Sequence, residues 1–248
     1  MGKAFHGFLL RQGSFSAIDF PGASFTRCAG INDAGEIAGL YQLRKTQHGF
    51  VLRNGNFETI DYPAALGTNV WGMGPGSEGE DGDGSTDVVG AYRQNGIHGF
   101  RHNANGYASI DVAGSVNTIA WNVNRKGVIV GGYDRSGTTH GFLRSVDGVD
   151  TSFDVPGAIA AFGFTGTQVR GITSRGVIVG WFTNAKGTHG YSRSKDGQFT
   201  IIDLPGASIT QVDGINPSGS VMVGDYFTSD APTVKHGFML LQEEKHED

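Results

Sequence analysis

HGFLLRQGSFSAIDFPGASFTRCAGINDAGEIAGLY, residues 6–41, reads as four short strands separated by turn residues. The runs are His6 to Leu10, Phe15 to Asp19, Thr26 to Asn32 and Glu36 to Tyr41. Short runs rich in β-formers and bounded by Gly, Pro, Asn and Asp are the signature of strands. The second run ends on Ile-Asp-Phe-Pro-Gly-Ala at residues 18–23, where Pro and Gly stop the strand and turn the chain. The third carries Gly-Ile-Asn, and the Gly-containing turn after it is short enough to make a tight hairpin with the fourth.

The same pattern recurs along the chain. A His-Gly-aromatic triplet begins at His6, His48, His98, His140, His189 and His236. The Ile-Asp turn returns at Ile60-Asp61-Tyr62-Pro63, Asp154-Val155-Pro156-Gly157 and Asp203-Leu204-Pro205-Gly206, Gly-Ile-Asn at Gly214 to Asn216, and Ile-Val-Gly-x-Tyr at Ile129 to Tyr133. Self-similarity at such a period marks stacked or radially arranged supersecondary units. No segment shows sustained helical periodicity with caps, so the chain reads as all-β. Five complete units of four strands match the blade size of a propeller. The expectation is a five-bladed β-propeller of four-stranded antiparallel blades in one domain, residues 1–241, followed by a charged, solvated tail at 242–248. The surplus sixth triplet fits terminal strands closing the last blade, with either the copy at His6 or the copy at His236 in the sheet. A β-solenoid is the alternative, disfavoured by the tight antiparallel hairpins within each unit.

These motifs, the His-Gly-Phe spacing with Ile-Asp-x-Pro-Gly-Ala and Gly-Ile-Asn-x-x-Gly-x-Ile-Val-Gly-x-Tyr, resemble the bacterial extracellular HAF-repeat family, named for a His-Ala-Phe triplet. Gly stands in place of that Ala in all six copies. The resemblance spans residues 5–240; it implies a repeat architecture and often export, and it transfers no catalytic residue.

Composition excludes several classes. Gly is abundant at 41 residues, but Pro numbers only 7 and no Gly-X-Y period runs through the chain, so neither collagen nor low-complexity disorder fits. A net charge of -5 without a long basic run offers no footprint for nucleic acid. The single Cys28 forms no internal disulfide. No apolar run has transmembrane length, and residues 1–13 lack the apolar stretch of a signal peptide. The chain as given is expected to be soluble and not to engage a membrane, with earlier removal of an export signal left open.

Positions kept in every unit are most simply structural, and positions that diverge are free for function. The residue before the glycine of the Gly-Ile-Asn strand is Ala29, Trp71, Trp121, Arg170 and Asp213 in turn. On the following strand, the residue after the glycine is Leu40, Ala91, Gly132, Trp181 and Asp225. These columns hold all three tryptophans. Hairpin geometry places Ala29 opposite Gly39 to Leu40 and brings the columns to one end of each blade. The expected site is a pocket at one mouth of the channel. Asp213 and Asp225 would act as acid and base, Arg170 would bind or polarise, and Trp71, Trp121, Trp181 and Leu40 would line the substrate. In the fourth unit the stretched loop of residues 159–166 places Phe162 and Phe164 as a lid over that pocket or as a cover for the core edge.

Six repeated histidines suggest metal, yet a residue copied into every unit is better explained by a side-chain to backbone hydrogen bond that organises each blade. The Asp of the Ile-Asp turns and the Tyr of the fourth strand take the same structural reading. Asp81, Asp83 and Asp87 alternate like calcium ligands, but the later bidentate Glu and flanking helices of an EF-hand are absent, so a mobile hairpin tip is the preferred reading. The leading expectation is a cofactor-independent hydrolase, lyase or isomerase acting on a small organic or carbohydrate molecule by general acid-base chemistry. A non-catalytic, single-site binder of a glycan or small molecule and a protein-interaction scaffold are the alternatives.

Overall fold

The computed structural model describes residues 5–74, 86–161 and 164–242. Every regular element among them is a β-strand, and no helix is long and apolar enough to cross a membrane. The chain divides into two compact units, Met1–Asp111 with Asn117–Ala120, and Val112–Val116 with Trp121–Asp248.

The first unit opens with a hairpin of β1 (Gly7–Arg11) and β2 (Ser14–Ile18). A four-stranded antiparallel sheet follows, in the order β3 (Phe25–Ile31), β4 (Ile37–Leu43), β5 (Thr46–Arg53), β6 (Asn56–Ile60). The next repeat supplies β7 (Thr68–Met73), β8 (Val88–Arg93), β9 (Ile97–Asn103) and β10 (Gly106–Ile110), again antiparallel and in chain order. Ala38, Val51, Ile60, Val70, Met73, Val88, Tyr92 and Phe100 form a core drawn from both sheets. Strand β11 (Asn117–Val123) begins in this unit, with Asn117 bridging to Ile97 in parallel.

The second unit takes up β11 from Trp121 and continues with β12 (Ile129–Arg135), β13 (Thr138–Arg144) and β14 (Asp150–Phe153). A two-residue pair, β15 (Ala160–Ala161) and β16 (Phe164–Thr165), precedes the antiparallel sheet of β17 (Thr167–Ile172), β18 (Ile178–Asn184), β19 (Gly187–Arg193) and β20 (Phe199–Ile202). The last repeat adds three antiparallel strands, β21 (Ala207–Ile215), β22 (Val221–Thr228) and β23 (His236–Leu241), joined to β19 by a parallel bridge of Thr188 to Ile209. The triplet at His236 therefore takes the third-strand place beside β22. Of the charged tail, residues 243–248 lie outside the described residues.

Three repeated devices explain the motifs. In five of the six triplets the His donates from Nδ1 to the Asp of the following turn, at 2.8 Å for His6–Asp19, 2.8 Å for His48–Asp61, 2.9 Å for His98–Asp111, 2.8 Å for His140–Asp154 and 3.0 Å for His189–Asp203. A carboxylate only accepts, so Nδ1 must carry the proton. These histidines were expected to bond to the backbone; their Nδ1 partner is instead this carboxylate, just past the end of the neighbouring strand. The Tyr of the second strand stacks on the same imidazole, as in Tyr41–His48 at 5.0 Å and Tyr133–His140 at 5.2 Å between centroids. Buried Thr26, Thr68, Thr167 and Thr210 each accept from the backbone N–H just after that Asp, fixing the turn.

The third device is steric. A Cβ on Gly39, Gly90, Gly180 or Gly224 would overlap the carbonyl oxygen of Arg27, Asn69, Gln168 or Gln211 respectively. Glycine is required there because two backbones approach too closely for any side chain. Gly224→Ala is expected to cost about 1–3 kcal/mol as forced overpacking. Gly237→Ala, whose Cβ meets nothing nearer than 4.0 Å, should shift stability by less than about 0.5 kcal/mol. Urea denaturation of the two variants checks this.

Candidate functional site

The carbonyl that presses on each of these glycines belongs to a strand that bulges just beyond it. Register slips between Cys28 and Gly30, Val70 and Gly72, Val169 and Gly171, and Val212 and Gly214. Ala29, Trp71, Arg170 and Asp213 are thus the extra residues that the strand register skips. The expected pairing of Ala29 with Gly39 or Leu40 gives way to Cys28 opposite Gly39 and Arg27 opposite Leu40. A bulge leaves its extra residue outside the ladder and re-aims the side chain. In these four repeats the divergent column is therefore the bulge position.

In the second unit this geometry gathers five of the expected residues. The Arg170 guanidinium lies 4.0 Å from the centroid of Trp121 and 5.4 Å from that of Trp181. Gly132, with no side chain, leaves room beside the Trp121 indole nitrogen, 3.7 Å from where its Cβ would stand. A guanidinium over an indole face gains about 0.5–2 kcal/mol, more as water is excluded, and only 18% of the Arg170 side chain is exposed. Its Nη1 donates to the Val169 carbonyl at 3.2 Å and its Nε stands 3.8 Å from Asp213. The tryptophan faces, expected to stack on a ligand, hold the arginine.

Asp213 sits beside Asp225, within hydrogen-bonding reach. Burial and then the adjacent Asp225 carboxylate push the Asp213 pKa up to about 6, against the lowering pull of Arg170 and Lys235. With 43% of the Asp213 side chain still open to solvent, desolvation is partial and we give the neighbouring charge the larger weight. Asp225 is more enclosed at 14% exposure, and its Oδ2 accepts from Lys235 Nζ at 2.8 Å. Its Oδ1 is buried with no hydrogen-bond donor among the described residues. A proton on Asp213 supplies the missing donor, so the pair is built to share one.

The remaining expected residues fall elsewhere. Trp71 and Leu40 belong to the first unit, where Arg27 lies 5.2 Å over the Trp71 ring and Leu40 is buried at 2% exposure. Phe162 lies outside the described residues, and Phe164 is placed only as backbone of β16. Asp81 and Asp83 also lie outside them, whereas both oxygens of Asp87 accept from Arg101, at 2.7 and 2.8 Å, and Oδ1 also from Asn103. Among the described residues no cluster of His, Cys, Asp and Glu could hold a metal ion. The sequence reading missed Lys235, although a signal existed: the residue before each triplet histidine also diverges, being Phe5, Gln47, Ile97, Thr139, Thr188 and Lys235.

No protein-family model matches the chain, and no curated protein matches it in sequence. Solved structures do share its architecture. A putative TolB from Agrobacterium tumefaciens superposes with a TM-score of 0.63 at 12% identity, covering 96% of this chain and 87% of that one. TolB from Acinetobacter baumannii gives 0.59 at 9% identity over 83% of this chain and 52% of that one, so the chain spans about half of that protein. A streptogramin B lyase gives 0.52 at 16% identity, over 95% and 76%. The fold is all-β and β-propeller-like. At these identities the likeness speaks to fold and not to activity.

The raised Asp213 pKa predicts a pH signature. Between the ordinary carboxyl value of about 4 and about 6, the folded chain keeps a proton that the unfolded chain has lost. Stability therefore falls as pH rises through that window, with no penalty below it and the full penalty above it. Thermal unfolding should show Asp213→Asn gaining stability relative to the parent as pH rises from about 4 to about 6.5; a pH-independent difference would contradict the shared proton.

Proposed function

We propose that the chain is an enzyme acting on a small organic or carbohydrate molecule by general acid-base chemistry, with Asp213 and Asp225 as the proton-transfer pair. One observation carries this reading: two neighbouring carboxyls, one with a raised pKa and the other with a buried oxygen lacking a donor. Such a pair holds one proton up to about pH 6, so its ionised member takes a proton while its neutral member gives one. Hydrolysis, elimination and isomerisation all need that exchange. Arg170, fixed by Trp121 and Trp181, would bind an anionic group or stabilise charge developing on the substrate. The architecture we favour is a five-bladed propeller of the HAF-repeat type, which fits four complete four-stranded repeats and a three-stranded fifth. A non-catalytic small-molecule binder is the second reading, favoured by a cavity beside Trp71.

The test is turnover of a panel of small esters, glycosides and hydroxy acids, followed by mass spectrometry. Asp213→Asn and Asp225→Asn should each reduce turnover by about 10²-fold or more while the ligand still perturbs tryptophan emission. Activity should survive chelation by EDTA. Undiminished turnover in both variants would remove the mechanism.

A further inference from the structure

Five of the six triplet strands carry the strand that follows them as an antiparallel partner: β1, β5, β9, β13 and β19 pair with β2, β6, β10, β14 and β20. The contacts recur. In β5–β6, Gly49, Phe50 and Leu52 stand opposite Ile60, Thr59 and Phe57. His48 donates to Asp61, the Tyr41 hydroxyl meets Thr59 at 3.0 Å, and Phe57 lies edge-on to Phe50 at 5.2 Å. In β9–β10 the same places are taken by Asp111, Ser109 and Tyr107. The triplet glycine belongs to this fit. A Cβ on Gly7, Gly49, Gly99 or Gly190 would stand 2.9, 2.7, 2.8 or 2.9 Å from the carbonyl oxygen of Ile18, Ile60, Ile110 or Ile202.

Strand β23 keeps the triplet and lacks the partner. It ends its sheet, and among the described residues no strand pairs with its outer edge. His236 stacks on Tyr226 at 5.1 Å, as its counterparts do. Among the described residues no carboxylate accepts from the His236 imidazole and no hydroxyl meets that of Tyr226. The glycine is the telling residue: the nearest atom to a Cβ on Gly237 would be 4.0 Å away. Glycine inside a strand weakens it and marks a close backbone approach, yet nothing approaches Gly237 here. The edge is also unguarded. His236–Leu241, HGFMLL, holds no Asp, Glu, Lys, Arg or Pro, and its ladder with β22 runs without a bulge, so the usual protections of an edge strand are missing.

We propose that the outer edge of β23 is a docking site for an extended segment of a partner protein with the pattern aromatic-x-Ser/Thr-Ile-Asp, which adds as the fourth antiparallel strand. The other repeats set its register: Ile opposite Gly237, Ser or Thr opposite Phe238, and the aromatic residue opposite Leu240. The Asp then accepts from His236 Nδ1 and the hydroxyl meets Tyr226. That hydroxyl is specified by Tyr226, because where the second strand carries Phe182 instead, the fourth carries Ile201. In such strand addition the backbone ladder supplies affinity and the side-chain places supply specificity. The strands of this kind within the chain are each engaged by their own triplet strand, and the residues outside the described ones contain no such pattern. Neither this chain nor a second copy has one to spare, so the occupant belongs to a different protein. The proposal does not rest on the acid-base reading.

The probe is a fluorescein-labelled peptide with the sequence of residues 55–64, GNFETIDYPA, titrated with the full chain and followed by anisotropy. It should bind saturably in the micromolar range, and a scrambled peptide should not. Replacing the peptide Asp by Ala should weaken binding by about tenfold. With His236→Ala the two peptides should bind alike. Gly237→Ala, which leaves the free chain stable, should weaken binding by at least about tenfold because its Cβ stands where the incoming carbonyl must lie. Absence of saturable binding, equal binding of the scrambled peptide, parental affinity in Gly237→Ala, or continued discrimination between the peptides by His236→Ala would each overturn the proposal. A parent chain that sediments as a dimer and becomes monomeric in Gly237→Ala would give the edge to a second copy and overturn it as well.

Discussion

A backbone carbonyl occupying the place of a missing Cβ governs the layout of these repeats. Where the first strand of a repeat meets the second, the carbonyl of Arg27, Asn69, Gln168 or Gln211 closes onto Gly39, Gly90, Gly180 or Gly224. That approach accompanies a bulge two residues further along the first strand, and the bulge frees one side chain from the ladder. Core packing, the His–Asp bond and the Thr-capped turn fix the rest of each repeat, so the bulge position can vary without disturbing them. Variation at that one place turns a structural repeat into a carrier of chemistry.

In the second unit the variation produces charge in close quarters. Arg170 is held edge-on to Asp213 by two indole faces, and Asp213 in turn meets Asp225 from the adjacent strand. Lys235 approaches Asp225 from the start of β23. Two ionised carboxyls would balance the two cations, and a proton shared between the carboxyls leaves the cluster one positive charge in excess. The cations keep one carboxyl ionised, while mutual repulsion keeps the other from ionising easily. In the first unit the same column carries Trp71, which lines a cavity together with Asn69, two residues before it.

Much of the fold was legible because its determinants are local. Turn residues, strand alternation and the period of the triplet marked four strands per repeat, but the unit read over residues 6–41 straddles two sheets, since β1 and β2 pair with each other while β3 and β4 continue into β5 and β6; residues kept in every copy pointed to structural roles for His48, Asp61 and Tyr41. The bulge was not legible. It depends on a carbonyl of one strand meeting a glycine of another, and the sequence shows only that the glycine recurs. Without it, Ala29 was set opposite the wrong partner. The roles of Trp121 and Trp181 were also out of reach, since divergence identifies their column but not that Arg170 would cover their faces. Lys235 and Asn69 were both visible as divergent positions, one residue before the histidine and two before the tryptophan column, and went unread because no tryptophan marked them.

The central claim is that the bulge at Asp213 brings its carboxyl against Asp225 so that the two share a proton. Carbon-13 NMR of the aspartate side-chain carboxyls, followed through a pH titration, measures this at the atoms concerned. The account predicts that one resonance of the pair titrates near 6 and that Asp225→Asn returns Asp213 toward the ordinary value of about 4. Titration of both carboxyls near the ordinary value in the parent chain would contradict it.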